Sequence, residues 1–208
     1  MEIKEQKIMS ILTKTYPQAH CELVHNSSWQ LLVATILSAQ CTDKRVNAVT
    51  KEMFLKFPRI EDYENLSIEK LKTMIRPTGF FNNKAKYISS AAIQIIKDFD
   101  GKVPETMEQL IKIPGIARKS ANVILSIWFK KNEGVVVDTH VKRLTVLLGL
   151  TKETDVIKIE RDLMAIYPKN VWDKISTLLV WHGRNICIAR RPKCADCPLK
   201  SICPSVKA

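Results

Sequence analysis

Glycine is scarce in this sequence, at six of 208 residues, and no two are adjacent. Runs of alternating polar and β-branched residues are equally rare, which leaves little material for a sheet. No stretch approaches the roughly 18 unbroken apolar residues of a membrane span. The N-terminus, MEIKEQKIMS, is too polar for a secretory signal. Repeats and low-complexity linkers are also missing. The chain is therefore expected to be soluble, intracellular (cytoplasmic) and all-α, with no membrane as a partner.

Negative charge is in deficit as well. Thirty-three Lys and Arg against 21 Asp and Glu leave a formal net charge of +12. An imbalance of this size points to a polyanionic partner, nucleic acid first and an acidic membrane surface second, with a solvated basic surface as the plain alternative. At 46% hydrophobic, the chain has enough apolar material for one large core or two small ones.

Helical spacing recurs along the chain. Residues 3–15 read as a first helix. NSSWQLLVATILSAQ opens with a capping-box pattern, Ser27 then Gln30, and runs apolar on nearly all sides to Gln40, so this helix is expected at the centre of a core. Further helices are expected from TDKRVNAVTKEMFLKF, near 67–75, 82–98 and 105–112, over 116–130, after VVVDTHVKR, and over 155–166 and 170–184. Only GVVV reads as strand-like.

The six cysteines are unevenly placed. Cys21 and Cys41 stand alone, whereas Cys187, Cys194, Cys197 and Cys203 follow a C-x6-C-x2-C-x5-C pattern. In a reducing compartment such crowding indicates metal rather than disulfides. Four thiolates suit either tetrahedral zinc or an iron–sulfur cluster, and spacing alone leaves both open. Between the first two lie Arg190, Arg191 and Lys193, either a phosphate-contacting loop or a solvated one.

The segment LIKIPGIARKSANVIL, 110–125, breaks its helical pattern at Pro114-Gly115 and resumes at once. Pro114 lacks an amide hydrogen and Gly115 tolerates left-handed backbone, so the chain can reverse in a short turn. The helix expected from about Ile116 would aim unsatisfied amides at that turn, an anion site suited to a DNA phosphate; alone, the pair is also an ordinary turn. Lys119, four residues after Gly115, would leave the same face. Its primary amine is a candidate nucleophile, and a solvated lysine is the plain alternative.

Together, LIKIPGIARKSANVIL, the downstream VVDTHVKR and the terminal cysteine spacing resemble the endonuclease III type of helix-hairpin-helix DNA glycosylase. The likeness begins at SWQLLVATILSAQCTDKRVN and includes TGFFNNKA, so it covers nearly the whole chain. It implies a 4Fe–4S cluster on Cys187, Cys194, Cys197 and Cys203, and damaged double-stranded DNA as the partner. It implies Lys119 as the catalytic amine and Asp138 as the catalytic carboxylate, although Asp before Thr is also a common helix N-cap. The hairpin, Pro114, Gly115, Ile116, Ala117 and Arg118, would hold DNA backbone. Gln40 resembles the glutamine that fills the gap left by a flipped base, and Phe80 falls at the family's apolar wedge, where it could also be core. His140 would line the pocket or serve as a structural histidine. Lys84 would touch phosphate or be solvated. The one departure is Ala117, where the family usually carries a second glycine; alanine keeps the amide donor, so phosphate binding would survive if the residue has helical dihedrals.

The likeness also implies two helical domains, 22–132 and a discontinuous 1–21 with 133–208, with the active site in a cleft between them. It implies a bifunctional glycosylase and abasic-site lyase acting on oxidised pyrimidines, as a monomer. Two rivals remain at this point. Mismatch-specific thymine or uracil glycosylases share the superfamily, and a non-catalytic iron–sulfur DNA-binding module would need neither Lys119 nor Asp138. An adenine-excising mismatch enzyme fits less well, because that branch typically lacks the lysine.

Overall fold

The computed structural model describes residues 3–206. Among them lie ten α-helices and no strand: α1 (Ile3–Thr15), α2 (Ser28–Leu37), α3 (Asp43–Lys56), α4 (Ile68–Ile75), α5 (Phe81–Phe99), α6 (Met107–Leu110), α7 (Arg118–Ile127), α8 (Thr139–Leu147), α9 (Val156–Ile166) and α10 (Trp172–Asn185). Short 3-10 turns occupy Ile60–Tyr63, Arg76–Thr78 and Lys169–Val171. The all-α expectation holds. Residues 134–137, GVVV, form no strand, having none to pair with, and bury Val135 and Val137 instead. No helix among the described residues is long and apolar enough to cross a membrane.

The chain divides into two compact units. One is Cys21–Lys131; the other joins the residues up to His20 with those from Asn132 onward. The first holds α2 to α7 around a single apolar core. Its centre is α2, nine of whose ten residues are buried, packed against α3, α5 and α7. The Ser27 hydroxyl accepts from the Gln30 amide at 3.1 Å, and the Gln30 side chain accepts in turn from the Asn26 amide at 2.8 Å. This reciprocal cap explains why the helix starts where it does.

α2 ends earlier than its apolar pattern suggests, at Leu37 instead of Gln40. The Ser38 hydroxyl bonds the Thr35 carbonyl at 2.8 Å, competing with continued helix. The Cys41 amide then closes a turn onto the Ser38 carbonyl at 3.1 Å, which leaves Gln40 in left-handed backbone at φ 53°.

The second unit packs α1, α8, α9 and α10 around Ile8, Leu12, Leu144, Ile159, Leu163 and Leu179. Glycine inside a helix costs roughly 1 kcal/mol against alanine, yet Gly183 sits inside α10. A Cβ there would lie 2.9 Å from His140 Nδ1 and 3.1 Å from Arg143 Nη2. Its absence lets α10 approach α8 closely.

Candidate functional site

The hairpin between α6 and α7 is tight. The Ile113 amide donates to Leu110 and the Ile116 amide to Ile113, at 3.0 and 3.1 Å. Gly115 has φ 82°, backbone that L side chains avoid. Helix α7 begins at Arg118, not near Ile116 as the pattern suggested. Ala117 is its N-cap, with extended backbone at φ −95° and ψ 170°, which any residue adopts, so this position requires no glycine.

Two expectations change as a result. Ile116 is buried and its amide is already bonded within the turn, so it offers a phosphate neither side chain nor donor. The four-residue relation between Gly115 and Lys119 does not operate either, because Gly115 lies outside the helix. Lys119 is instead the second residue of α7, exposed in its first turn beside exposed Arg118. The amides of that turn lack intrahelical acceptors, and Ala117 supplies no side-chain cap.

Gln40 and Phe80 are both exposed, Phe80 at 62%. Phe80 is therefore not core; its neighbour Phe81 takes that part, half-buried beneath Arg76. Phe80 also has left-handed backbone, φ 49°, and precedes α5 directly. Lys84 departs from expectation. It is neither solvated nor placed for phosphate, being 3% exposed, and its Nζ donates to the Leu37 and Thr78 carbonyls at 2.8 Å each. Burial pushes its pKa down, with the nearby Cys41 sulfur pulling it back up.

Asp138 caps α8. Its Oδ1 accepts from the His140 and Val141 amides, both at 2.8 Å, and Oδ2 stays outside the cap. The carboxylate is half-buried, so the cap and a catalytic role are compatible in one side chain. His140 is half-buried against Gly183. Burial holds its imidazole below the ordinary pKa; Asp138 opposes that shift, and Arg143 and Arg184 reinforce it. A neutral ring beside the Asp138 cap is the outcome.

None of Cys187, Cys194, Cys197 and Cys203 is in a disulfide, and all four are half-buried. They line one cavity of about 210 Å³, with Leu144, Leu148 and Ile186 among its apolar walls. Burial raises the Cys187 and Cys197 thiols, and the neighbouring sulfurs raise them further. Four thiolates here need a multiply charged group between them, and the donor set suits either zinc or an iron–sulfur cluster.

Sequence reasoning missed the residues supporting these thiols. Arg143 donates from Nη2 to the Cys187 carbonyl at 2.7 Å and the Gly183 carbonyl at 3.2 Å. His182 Nε2 lies 3.5 Å from Cys197 Sγ, and its Nδ1 lies 2.9 Å from the Tyr16 hydroxyl. Burial lowers His182 to about 4, so the ring is neutral; toward a Cys197 thiolate Nε2 would carry the proton, leaving Nδ1 to accept from the Tyr16 hydroxyl. The WHGR run, which puts His182 five residues before Cys187, was the available signal. Arg190, Arg191 and Lys193 are exposed on the loop between the first two cysteines.

Residues 33–169 match the HhH-GPD superfamily of base excision DNA repair proteins, and residues 187–203 match the iron-sulfur binding domain of endonuclease III. The chain is 49% identical to Endonuclease III of Synechocystis sp., over 100% of this chain and 96% of that one. It is 44% identical to Endonuclease III of Bacillus subtilis, over 90% and 86% respectively. The chain belongs to the endonuclease III family. Among solved structures it is similar to an endonuclease III in a non-covalent complex with DNA, at TM-score 0.93 and 39% identity over 99% of this chain and 97% of that one. A trapped covalent endonuclease III–DNA intermediate matches over the same shares, at TM-score 0.92 and 39% identity. A thermostable thymine-DNA glycosylase, 18% identical at TM-score 0.85 over 98% and 96%, shares the fold.

For an endonuclease III chain the four-cysteine cavity is the iron–sulfur site, and the zinc alternative falls away. Cys187, Cys194, Cys197 and Cys203 are the residues that would hold the cluster, with Arg143 and His182 bracing the segment they stand on.

Proposed function

We propose that this chain excises oxidised pyrimidines from damaged duplex DNA through Lys119, with Asp138 as the assisting carboxylate, and nicks the strand at the resulting abasic site. As a member of the endonuclease III family it is a base-excision-repair DNA glycosylase and abasic-site lyase. We further propose that it works as a monomer in the cytoplasm, on the nucleoid.

The anomeric carbon of a stacked nucleotide is inaccessible, so the damaged nucleotide must first leave the duplex. Gln40 and Phe80 would take its place, the amide bonding the orphaned base and the ring stacking. The amides at the start of α7 and at Gly115, with Arg118 close by, would hold the backbone. Pro114 and Ala117 shape that turn. Arg190, Arg191 and Lys193 would add phosphate contacts, and His140 would line the pocket as a neutral ring.

Lys119 Nζ attacks the anomeric carbon, the bond to the base breaks, and the base leaves with a proton. The Asp138 carboxylate stabilises the positive charge on the sugar and helps move protons as the ring opens to an imine on Lys119. Loss of a proton from the adjacent carbon then expels the 3′ phosphate by β-elimination, and water hydrolyses the remaining imine to free Lys119. Cys187, Cys194, Cys197 and Cys203 would hold a 4Fe–4S cluster, which would offset part of the thiolates' charge and clamp the C-terminal segment.

The observation that carries this reading is exposed Lys119 in the first turn of α7, directly after the Gly115 hairpin. A panel of duplexes with different single lesions, scored for base release and strand nicking, tests it. Oxidised pyrimidines should give both products; release of thymine or uracil from mismatches without nicking would overturn it.

A further inference from the structure

Lys84 is buried, at 3% exposure, and its charge is not matched by a carboxylate. Nζ instead donates to two main-chain carbonyls, Leu37 and Thr78, at 2.8 Å each. Leu37 is the last residue of α2, and Thr78 is the last residue of the 3-10 turn Arg76–Thr78. Both are helix C-termini, where carbonyls lack partners and the helix dipole is negative. A position that needed only volume would be filled by an apolar side chain without burying a charge.

Both carbonyls stand just before a candidate DNA-contacting residue. Gln40 lies three residues after Leu37, and Phe80 two residues after Thr78. Both are exposed and both have left-handed backbone, at φ 53° and 49°, without being glycine. Such backbone persists only where its surroundings impose it. Leu37 and Thr78 are 41 residues apart in sequence, and one nitrogen bonds both carbonyls.

We infer that Lys84 is a positioning residue: its ammonium ties the turn bearing Gln40 to the turn bearing Phe80, so that the two side chains enter the duplex as a fixed pair. This rests on the reading of Gln40 and Phe80 as the residues that fill the vacated stack. Opening the stack then depends on Lys84, whereas chemistry at a sugar that is already unstacked does not.

The test compares two substrates. One is a duplex with a single oxidised pyrimidine, followed by single-turnover base release. The other is a single-stranded oligonucleotide with an abasic site, where nicking requires no stack to be opened. Lys84→Met, which keeps the length and removes the donors, should slow the first by about 10- to 100-fold and leave the second within about twofold. Lys84→Gln, which keeps amide donors on a shorter stem, should fall between. If Lys84→Met does not fold, the two rates of Lys84→Gln decide on the same terms. Equal slowing on both substrates would overturn the inference, because it indicates general structural damage. So would an unslowed duplex reaction while Gln40→Ala and Phe80→Ala are slowed. If those two variants are themselves unslowed, the reading beneath the inference falls first.

Discussion

The side chain of Tyr87 occupies the space that a Cβ on Gly115 would need. Such an atom would lie 2.8 Å from Tyr87 Cβ and 3.0 Å from Cγ, closer than packed carbons approach. Gly115 is thus required twice, by this contact and by its φ of 82°. Gly115→Ala should reshape the hairpin and weaken binding to an abasic-site duplex, with strain of about 1–3 kcal/mol from the backbone alone. Combining it with Tyr87→Ala should recover the part due to the clash but not the part due to φ. A titration with the single and double variants checks this. Wild-type affinity in Gly115→Ala would contradict it.

Asp138 is expected to do two jobs with two oxygens. Its Oδ1 accepts both capping bonds, and an asparagine oxygen caps as well as a carboxylate. Asp138→Asn should therefore melt close to wild type, whereas Asp138→Ala should lose about 0.5–2 kcal/mol. Both should lose excision rate by about 100-fold or more, because neither retains the negative charge. Thermal melts beside single-turnover rates separate the two roles. Full activity in Asp138→Asn would reduce the residue to a cap.

The loop of Arg190, Arg191 and Lys193 separates from a merely solvated surface through salt. Each phosphate contact steepens the dependence of log affinity on log salt by about 0.9 in duplex DNA. Single alanine variants should each flatten that slope by about one, with little change in melting. Unchanged slopes in all three would make the loop a bystander.

What the sequence made legible was local. Ser27 capping α2, the reversal at Pro114-Gly115 and the four-cysteine segment all follow from neighbours a few residues apart. The structure departs from the local pattern where distant backbone decides the outcome. α2 stops at Leu37 because Ser38 and Cys41 close a turn, and neither carries a glycine-like warning. Lys84 is buried because two carbonyls, 47 and six residues before it, converge on its nitrogen. The hydrogen-bond chain from Tyr16 through His182 to Cys197 begins 166 residues before the histidine, and no local pattern announces it. Ala117 differs in another way: phosphate binding there was expected to survive if the residue were helical, and it is instead an extended cap whose conformation is set by the hairpin.

The central claim is that Lys119 is the nucleophile, and borohydride reduction during turnover on an abasic-site duplex tests it most directly. An imine between Lys119 and the opened sugar is reduced to a stable protein–DNA cross-link. Wild-type protein should cross-link, and Lys119→Ala should give none while retaining its fold and its affinity for the duplex. Equal cross-linking by the two proteins would contradict the account.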